Sequence, residues 1–357
     1  MYDYGFNCVL SQLKVTSEWL YLLGSRSAPV FEREGASSIS LGVPVGGLSA
    51  SDKVRFDVYK DDFLHEMGTT TGAGLFLSVL GRTRAFSDGS SLGIFRSICA
   101  WFEAGIEALE ANQRPASTEY YADGSTLERV AEVLASFDTG IKGLRKQEVP
   151  LDELEKYIPR EVIFAVQDFL KANSPKADTD TVALTVRTDD MFLGIERRGV
   201  EEPKATVLKT RHAGSLLDFE FQEESDGTKR LFDYMDILFT RSKDKLFVVD
   251  ELNRSFHPML TQQLVRLFNE VHANDDCQLV FTTHEDAIMS QEYFRRDEVW
   301  FVERDASGYT GLYPLDDFAE AARADARLGK RYLEGRYGGI PVLDEARAWS
   351  ALRGGER

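Results

Sequence analysis

Asp250 and Glu251 stand side by side where four apolar residues, Leu246-Phe247-Val248-Val249, stop abruptly in "DKLFVVDELNRSFHP", residues 244–258. A carboxylate pair at the tip of a buried strand suits a magnesium–nucleotide site. Asp250 can hold Mg2+ directly or through water, and Glu251 can polarise a water for in-line attack on a γ-phosphate. A strand that merely ends in surface acids is common, so the pair needs company. A second apolar run, Leu279-Val280-Phe281, ends in Thr282-Thr283-His284. His284 at the same edge can donate to a γ-phosphate oxygen and couple its presence to the segment behind it. The competing reading is a helix-capping threonine with a chance histidine. Earlier, "EESDGTKRLFDYMDILF" opens a helix with Leu231, Phe232, Met235 and Leu238 on its buried side. Ser225 or Asp226 caps that helix, Gly227 allows close backbone approach, and Thr228 adds a hydroxyl. Such a helix start is a ready phosphate-binding surface, although capping alone is its commoner meaning. The order of the three segments decides for a site. His65, His212, His257 and His272 have no comparable context and read as structural or surface.

The elements that must position these residues follow from periodicity. Residues 216–222, 245–250 and 278–283 read as strands, and 226–239, 259–273 and 284–292 as helices. Strand–helix alternation of this spacing predicts an α/β fold with a parallel sheet flanked by helices, whose ligands bind beyond the strand ends. "EVWFVERD" and "YTGLYPL" close the region as a hairpin. Before it, residues 1–60 show the period-two alternation of strands ("GFNCVLSQLKV", "EWLYLL", "PVFERE", "KVRFDVYK"). Residues 61–178 carry helical spacing, with Ser125 as an N-cap and Leu127, Val130, Val133 and Leu134 as an apolar stripe. Trp101, Phe102 and Phe137 belong to a core there. The expected organisation is an N-terminal β part (1–60), a helical insertion (61–178), an α/β lobe with the site (179–317) and a charged helical tail (318–357).

Composition narrows the classes. Net charge is −17, so the molecule as a whole repels nucleic acid and anionic membrane; DNA binding is possible but not indicated. Three widely spaced cysteines, Cys8, Cys99 and Cys277, make neither a disulfide framework nor a zinc spacing, which fits the cytosol. No apolar run approaches the roughly 20 residues that span a bilayer, and the N-terminus carries no signal-peptide pattern.

The motif order resembles the C-terminal half of an ABC-class ATPase head, as in SMC and RecF-like proteins. "ESDGTKRL" resembles the signature motif, "KLFVVDE" the Walker B motif, "LNRSFHP" the D-loop and "TTH" the switch-histidine loop. More narrowly, the chain resembles bacterial AAA-family ATPases of phage-defence and abortive-infection systems, near the overcoming-lysogenisation-defect proteins. "YGFN", "EWLYLL" with "VFERE", "GLFLSVLG", "FDTGIKGL" and "YLEGRYGGIP" follow that pattern in order. The resemblance implies ATP and Mg2+ as ligands, with Asp250, Glu251 and His284 acting in cis. It places Asn253 and Ser255 on the D-loop. Ser225, Asp226, Gly227 and Thr228 would close on a nucleotide held by another subunit, in a homodimer or higher homo-oligomer. It further implies a separate effector, a nuclease or toxin, because no nuclease constellation stands in this chain.

What the pattern lacks is a phosphate loop. That motif needs G-x-x-x-x-G-K-[ST], so that backbone N–H groups cradle phosphates and the lysine reaches β/γ oxygens. "GTTTGAGLFL" (68–77) has no lysine and the wrong spacing, and reads as a loop and helix start; Lys142 and Lys330 lack the frame. In the family the loop lies upstream of the point matched by "YGFN". A start placed too late, a split ATPase and a degenerate, non-hydrolysing scaffold are the three explanations, the first being the simplest. Functions from different classes therefore stand open: an ATPase switch in phage defence, a scaffold, or a DNA-repair head. The last lacks heptad arms.

Overall fold

Short alternating runs broken by turn residues build an antiparallel meander at the start of the chain in the computed structural model. The structure describes residues 1–35, 37–42, 49–69, 74–82, 90, 92–111, 113, 119–122, 124–173, 181–188, 190–240, 242–322, 327–341 and 343–353. Strands β1 (Tyr2–Val9), β2 (Lys14–Leu22), β3 (Ala28–Glu34) and β4 (Ser38–Leu41) pair in sequence order, each antiparallel to the next. Three helices follow, α1 (Ala50–Thr69), α2 (Phe76–Arg82) and α3 (Gly93–Ala104). The chain divides into two compact units, Met1–Glu107 and Ala108–Arg357, and the division falls inside strand β5 (Ile106–Leu109).

The core of the first unit gathers Leu20, Val30 and Phe31 from the sheet with Phe56, Phe63, Phe76, Leu80 and Phe95 from the helices. At its centre is a buried acid. Glu18 accepts the backbone N–H groups of Phe76 (2.8 Å) and Leu77 (2.9 Å), the Arg33 guanidinium (3.1 Å) and the Tyr4 hydroxyl (3.1 Å). A carboxylate at the start of α2 satisfies orphan amides and faces the positive end of the helix. "KVRFDVYK" lies inside α1, where a strand was expected. The Ser49 hydroxyl accepts the Asp52 N–H at 3.1 Å to start the helix, and Phe56 and Phe63, seven positions apart, are buried on one stripe. Val54 and Val58, which complete the apparent alternation, face solvent.

In the second unit, α4 (Glu119–Ala122) and α5 (Gly124–Ser136) precede β6 (Ile141–Val149) and α6 (Arg160–Ala172). Leu127, Val130 and Leu134 of α5 are buried as their spacing predicts, with Val133 packed at the margin. Ser125 sits within the first turn of α5 rather than capping it. In "FDTGIKGL", Asp138 and Gly140, both at positive φ (56° and 76°), turn the chain from α5 into β6. Phe137 is buried, whereas Trp101 is half-buried and Phe102 is exposed on α3. Strands β7 (Thr181–Arg187), β8 (Phe192–Arg198), β9 (Lys204–His212) and β10 (Asp218–Glu220) join β6 in a five-stranded antiparallel sheet. There β9 pairs with β6 along one edge and with β8, then β10, along the other.

The chain then alternates as read: α7 (Asp226–Phe239), β11 (Leu246–Val249), α8 (Pro258–Val271) and β12 (Gln278–Phe281). β11 and β12 are parallel, Leu246 opposite Gln278 and Val249 opposite Phe281, in a three-stranded sheet ordered β12-β11-β5. The architecture is mixed α/β with this parallel pair flanked by helices. α7 is buried nearly all round, and even its Asp233 is held inside by Arg187 at 3.2 Å. The helix expected over 284–292 is a single tight turn, Asp286–Ile288. Ile288 is the one fully buried residue in 284–292, too little to seat a helical stripe. The hairpin follows as β13 (Trp300–Arg304) and β14 (Thr310–Pro314), then α9 (Leu328–Leu333) and α10 (Glu345–Arg353). Around it, "GRYGGIP" threads the buried Tyr337 into a core with Phe301 and Leu315. Gly338 has φ +71°, and a Cβ there would meet the Tyr313 hydroxyl at 2.4 Å, so only glycine fits.

Candidate active site

Parallel pairing sets the site's geometry. Because β11 and β12 run side by side, their carboxyl ends deliver Asp250 and Thr282 to one edge. The ladder continues past the strands: Thr282 N–H donates to the Val249 carbonyl at 3.0 Å, and Leu252 N–H to the Thr282 carbonyl at 3.0 Å. On the other side Asp250 N–H donates to the Leu109 carbonyl at 2.8 Å. The backbone of the acid pair is thus clamped from both flanks.

The Thr282 hydroxyl does two things. It donates to Asp250 Oδ1 at 2.6 Å and accepts the Glu251 N–H at 2.8 Å. This bond orients one oxygen of Asp250. Glu251 has φ +51°, in the left-handed region that a non-glycine residue enters only when the surroundings compel it. The compulsion is visible in the turn that follows. Arg254 N–H closes on the Glu251 carbonyl at 3.0 Å, and the buried Tyr234 hydroxyl donates to the Leu252 carbonyl at 3.3 Å. Burial pushes the Tyr234 phenol up, so it remains a donor.

His284 lies with its Nε2 3.9 Å from Glu251 Oε1, its side chain 87% exposed against 44% for Glu251. Thr283 donates to Asn253 Oδ1 at 2.8 Å and accepts the Glu285 N–H at 3.0 Å, joining the two loops. Asp250, Glu251, Asn253 and His284 therefore share one edge. Among the described residues no lysine or arginine forms an ion pair with Asp250 or Glu251. The donors offered there are carboxylate and hydroxyl oxygens, which suit Mg2+.

The start of α7 forms the other part. Ser225, not Asp226, is its N-cap: the hydroxyl accepts the Thr228 N–H at 3.1 Å and lies 2.9 Å from the Thr228 hydroxyl. Ser225 and Asp226 are exposed, whereas Thr228 is buried. Gly227 lies against the loop after the acid pair: a Cβ there would stand 2.8 Å from the Ser255 carbonyl. Ser255 itself has φ +64°. The signature-like and D-loop-like segments thus touch within one chain. Arg230 is buried and donates to the Tyr234 hydroxyl (3.0 Å) and the Gln113 carbonyl (3.1 Å), so its charge does not face the helix start.

Three supports escaped the sequence. Thr282 was legible only as a capping residue, although a hydroxyl two positions before the histidine was the available signal. Tyr234 lies inside the α7 segment, and nothing in its spacing marks it as a support. The third is Glu224, beside the N-cap: its carboxylate is buried and bonds the Thr210 hydroxyl and His212 Nε2 (2.7 Å). His212 thus anchors the approach to Ser225 from β9, which no local pattern announces.

Comparison with known proteins places this architecture. Residues 80–290, more than half the chain, match the family described as "AAA domain, putative AbiEii toxin, Type IV TA system". No curated protein matches. Among solved structures, one from work on ATP-driven dimerization and DNA-stimulated activation of SMC ATPases aligns at 11% identity, over 51% of this chain and 100% of that one, with a TM-score of 0.25. Among the described residues no helix is long and apolar enough to cross a membrane.

Proposed function

The chain belongs to this AAA-domain family, and we propose that it is an ATP-dependent switch whose hydrolytic acids are Asp250 and Glu251. One observation carries the reading. Two neighbouring carboxylates are fixed by backbone at a parallel strand end, and neither has a lysine or arginine partner among the described residues. In this reading Asp250 holds Mg2+, and a bound Mg2+ neutralises charge on the β- and γ-phosphates. Glu251 orients and deprotonates the attacking water. His284, exposed beside it, donates to the γ-phosphate and reports its presence to the 282–288 loop. Ser225, Asp226, Gly227 and Thr228 of a second copy close over the nucleotide, with Asn253 and Ser255 lining the seam.

The phosphate-binding lysine has a place to come from. Gln278 and Thr282 point their N–H groups at β11, so Leu279 and Phe281 point theirs to the opposite edge of β12. Among the described residues β12 is the last strand in its sheet, and Val280 on its face is 54% exposed. A strand leading into a glycine-rich loop would pair along that edge and bring its lysine to the acid pair, from outside the described residues or from another chain. The family description names a putative AbiEii toxin and a Type IV TA system. That agrees with a bacterial phage-defence role in which nucleotide controls a separate effector protein.

The test is phosphate release from Mg·ATP by the purified protein. Glu251→Gln is expected to lower turnover about 10²–10⁴-fold without moving the unfolding midpoint. Turnover that survives the substitution sinks the assignment, and a chain that neither binds nor hydrolyses nucleotide is a scaffold.

A further inference from the structure

The opposite end of β12 holds a cluster that the nucleotide site does not use. α8 ends at Val271, and the chain turns through His272, Asp275 and Cys277 before β12 begins at Gln278. His272 Nδ1 lies 3.1 Å from Asp275 Oδ2, and these two atoms and Cys277 Sγ all lie within 4.8 Å of one another. Imidazole, carboxylate and thiol converge from a six-residue stretch, H-x-x-D-x-C.

The surroundings orient each donor. His272 Nε2 donates to the Ile237 carbonyl of α7 at 2.9 Å, which turns Nδ1 towards Asp275 and Cys277. A backbone carbonyl on the far ring nitrogen is the usual way a ligating histidine is held in the right tautomer. Asp275 Oδ1 accepts the Cys277 N–H at 3.2 Å, which directs Oδ2 at the imidazole. Cys277 Sγ lies 3.3 Å from the Ser242 carbonyl, which fixes the direction of the thiol. His272 is buried, with Asp275 and Cys277 half-buried.

We propose that His272 Nδ1, Asp275 Oδ2 and Cys277 Sγ form a zinc site. The donor set decides the metal. A thiolate and an imidazole are poor ligands for Mg2+ and good ones for Zn2+. Bonds of about 2.0–2.3 Å in a tetrahedral arrangement require donor separations of roughly 3.3–3.8 Å, which this cluster reaches by side-chain adjustments under about 1 Å. Water takes the fourth position. Binding releases the thiol proton to solvent as the Zn–S bond forms, and a proton shared between Nδ1 and Asp275 leaves with it as the Zn–N bond forms. The ion would pin the end of α8 to the start of β12 and, through His272, to α7. Thr282, Thr283 and His284 stand at the other end of the same strand. The site therefore steadies the strand that presents them without touching nucleotide, and it stands whether or not the ATPase reading holds.

Cobalt(II) added to the metal-stripped, full-length protein is the test. One equivalent is expected to give tetrahedral d–d bands and a thiolate-to-cobalt charge-transfer band, both removed by Zn2+. Cys277→Ser should abolish the charge-transfer band and weaken Zn2+ binding at least about 10²-fold, while Cys8→Ser leaves both unchanged. Zn2+ should raise the unfolding midpoint of the unaltered protein and not that of Cys277→Ser, which shows that the variant folds. No charge-transfer band, or one that persists in Cys277→Ser, overturns the proposal and leaves a helix-end ion pair beside a half-buried thiol.

Discussion

Glu18 and the pair Asp250–Glu251 are carboxylates under opposite regimes. Glu18 is withdrawn from water, and each of its oxygens accepts two bonds, from Arg33, Tyr4 and the first amides of α2. Burial, with Glu18 next in effect, pushes the Tyr4 phenol well above its usual value, so it too is fixed as a donor. Asp250 is exposed, with one hydroxyl on one oxygen, and among the described residues Glu251 has only His284 within ion-pair distance. An acid whose every lone pair is occupied is structure. An acid held by its backbone, with lone pairs still unoccupied among the described residues, is what the proposed magnesium site requires. The difference lies in the surroundings, since both acids stand at the end of a strand-like stretch, Glu18 before "WLYLL" and Asp250–Glu251 after "LFVV".

Removing partners should expose that contrast. Arg33→Ala strands a buried charge and is expected to lower the stability of the first unit by about 3–5 kcal/mol in chemical denaturation. A loss below 1 kcal/mol would show that Glu18 is not held as described. Glu251→Gln is the mirror image, with its loss in turnover and none in stability. Thr282→Val frees the Asp250 carboxylate and removes the acceptor for the Glu251 amide. The Mg2+ concentration for half-maximal turnover should rise about 10–100-fold, and an unchanged requirement would remove Asp250 from the metal. Tyr4→Phe takes one bond of four from Glu18, and about 1 kcal/mol of stability should go with it.

The bounds of α7, β11, α8 and β12 were legible within a residue or two because one period dominates each segment. Where two periods fit, the sequence misled. "KVRFDVYK" alternates, but Phe56 and Phe63 also fall on one helical stripe, and that stripe has a core to enter. β6 was hidden because "IKGLRKQEV" buries only its ends, Ile141 and Val149. At the site, the chemical residues announced themselves by type and position, whereas their supports did not. Thr282, Tyr234 and His212 act across register or across a helix, at distances in sequence that no short pattern spans.

The left-handed backbone at Glu251 bears on how this chain can change over generations. Glutamate there costs of order 1 kcal/mol that glycine would avoid and asparagine would reduce. Stability therefore favours drift at this codon, and a copy with no use for the carboxylate would gain by losing it. Glutamate persists at such a position only while something other than folding selects for it.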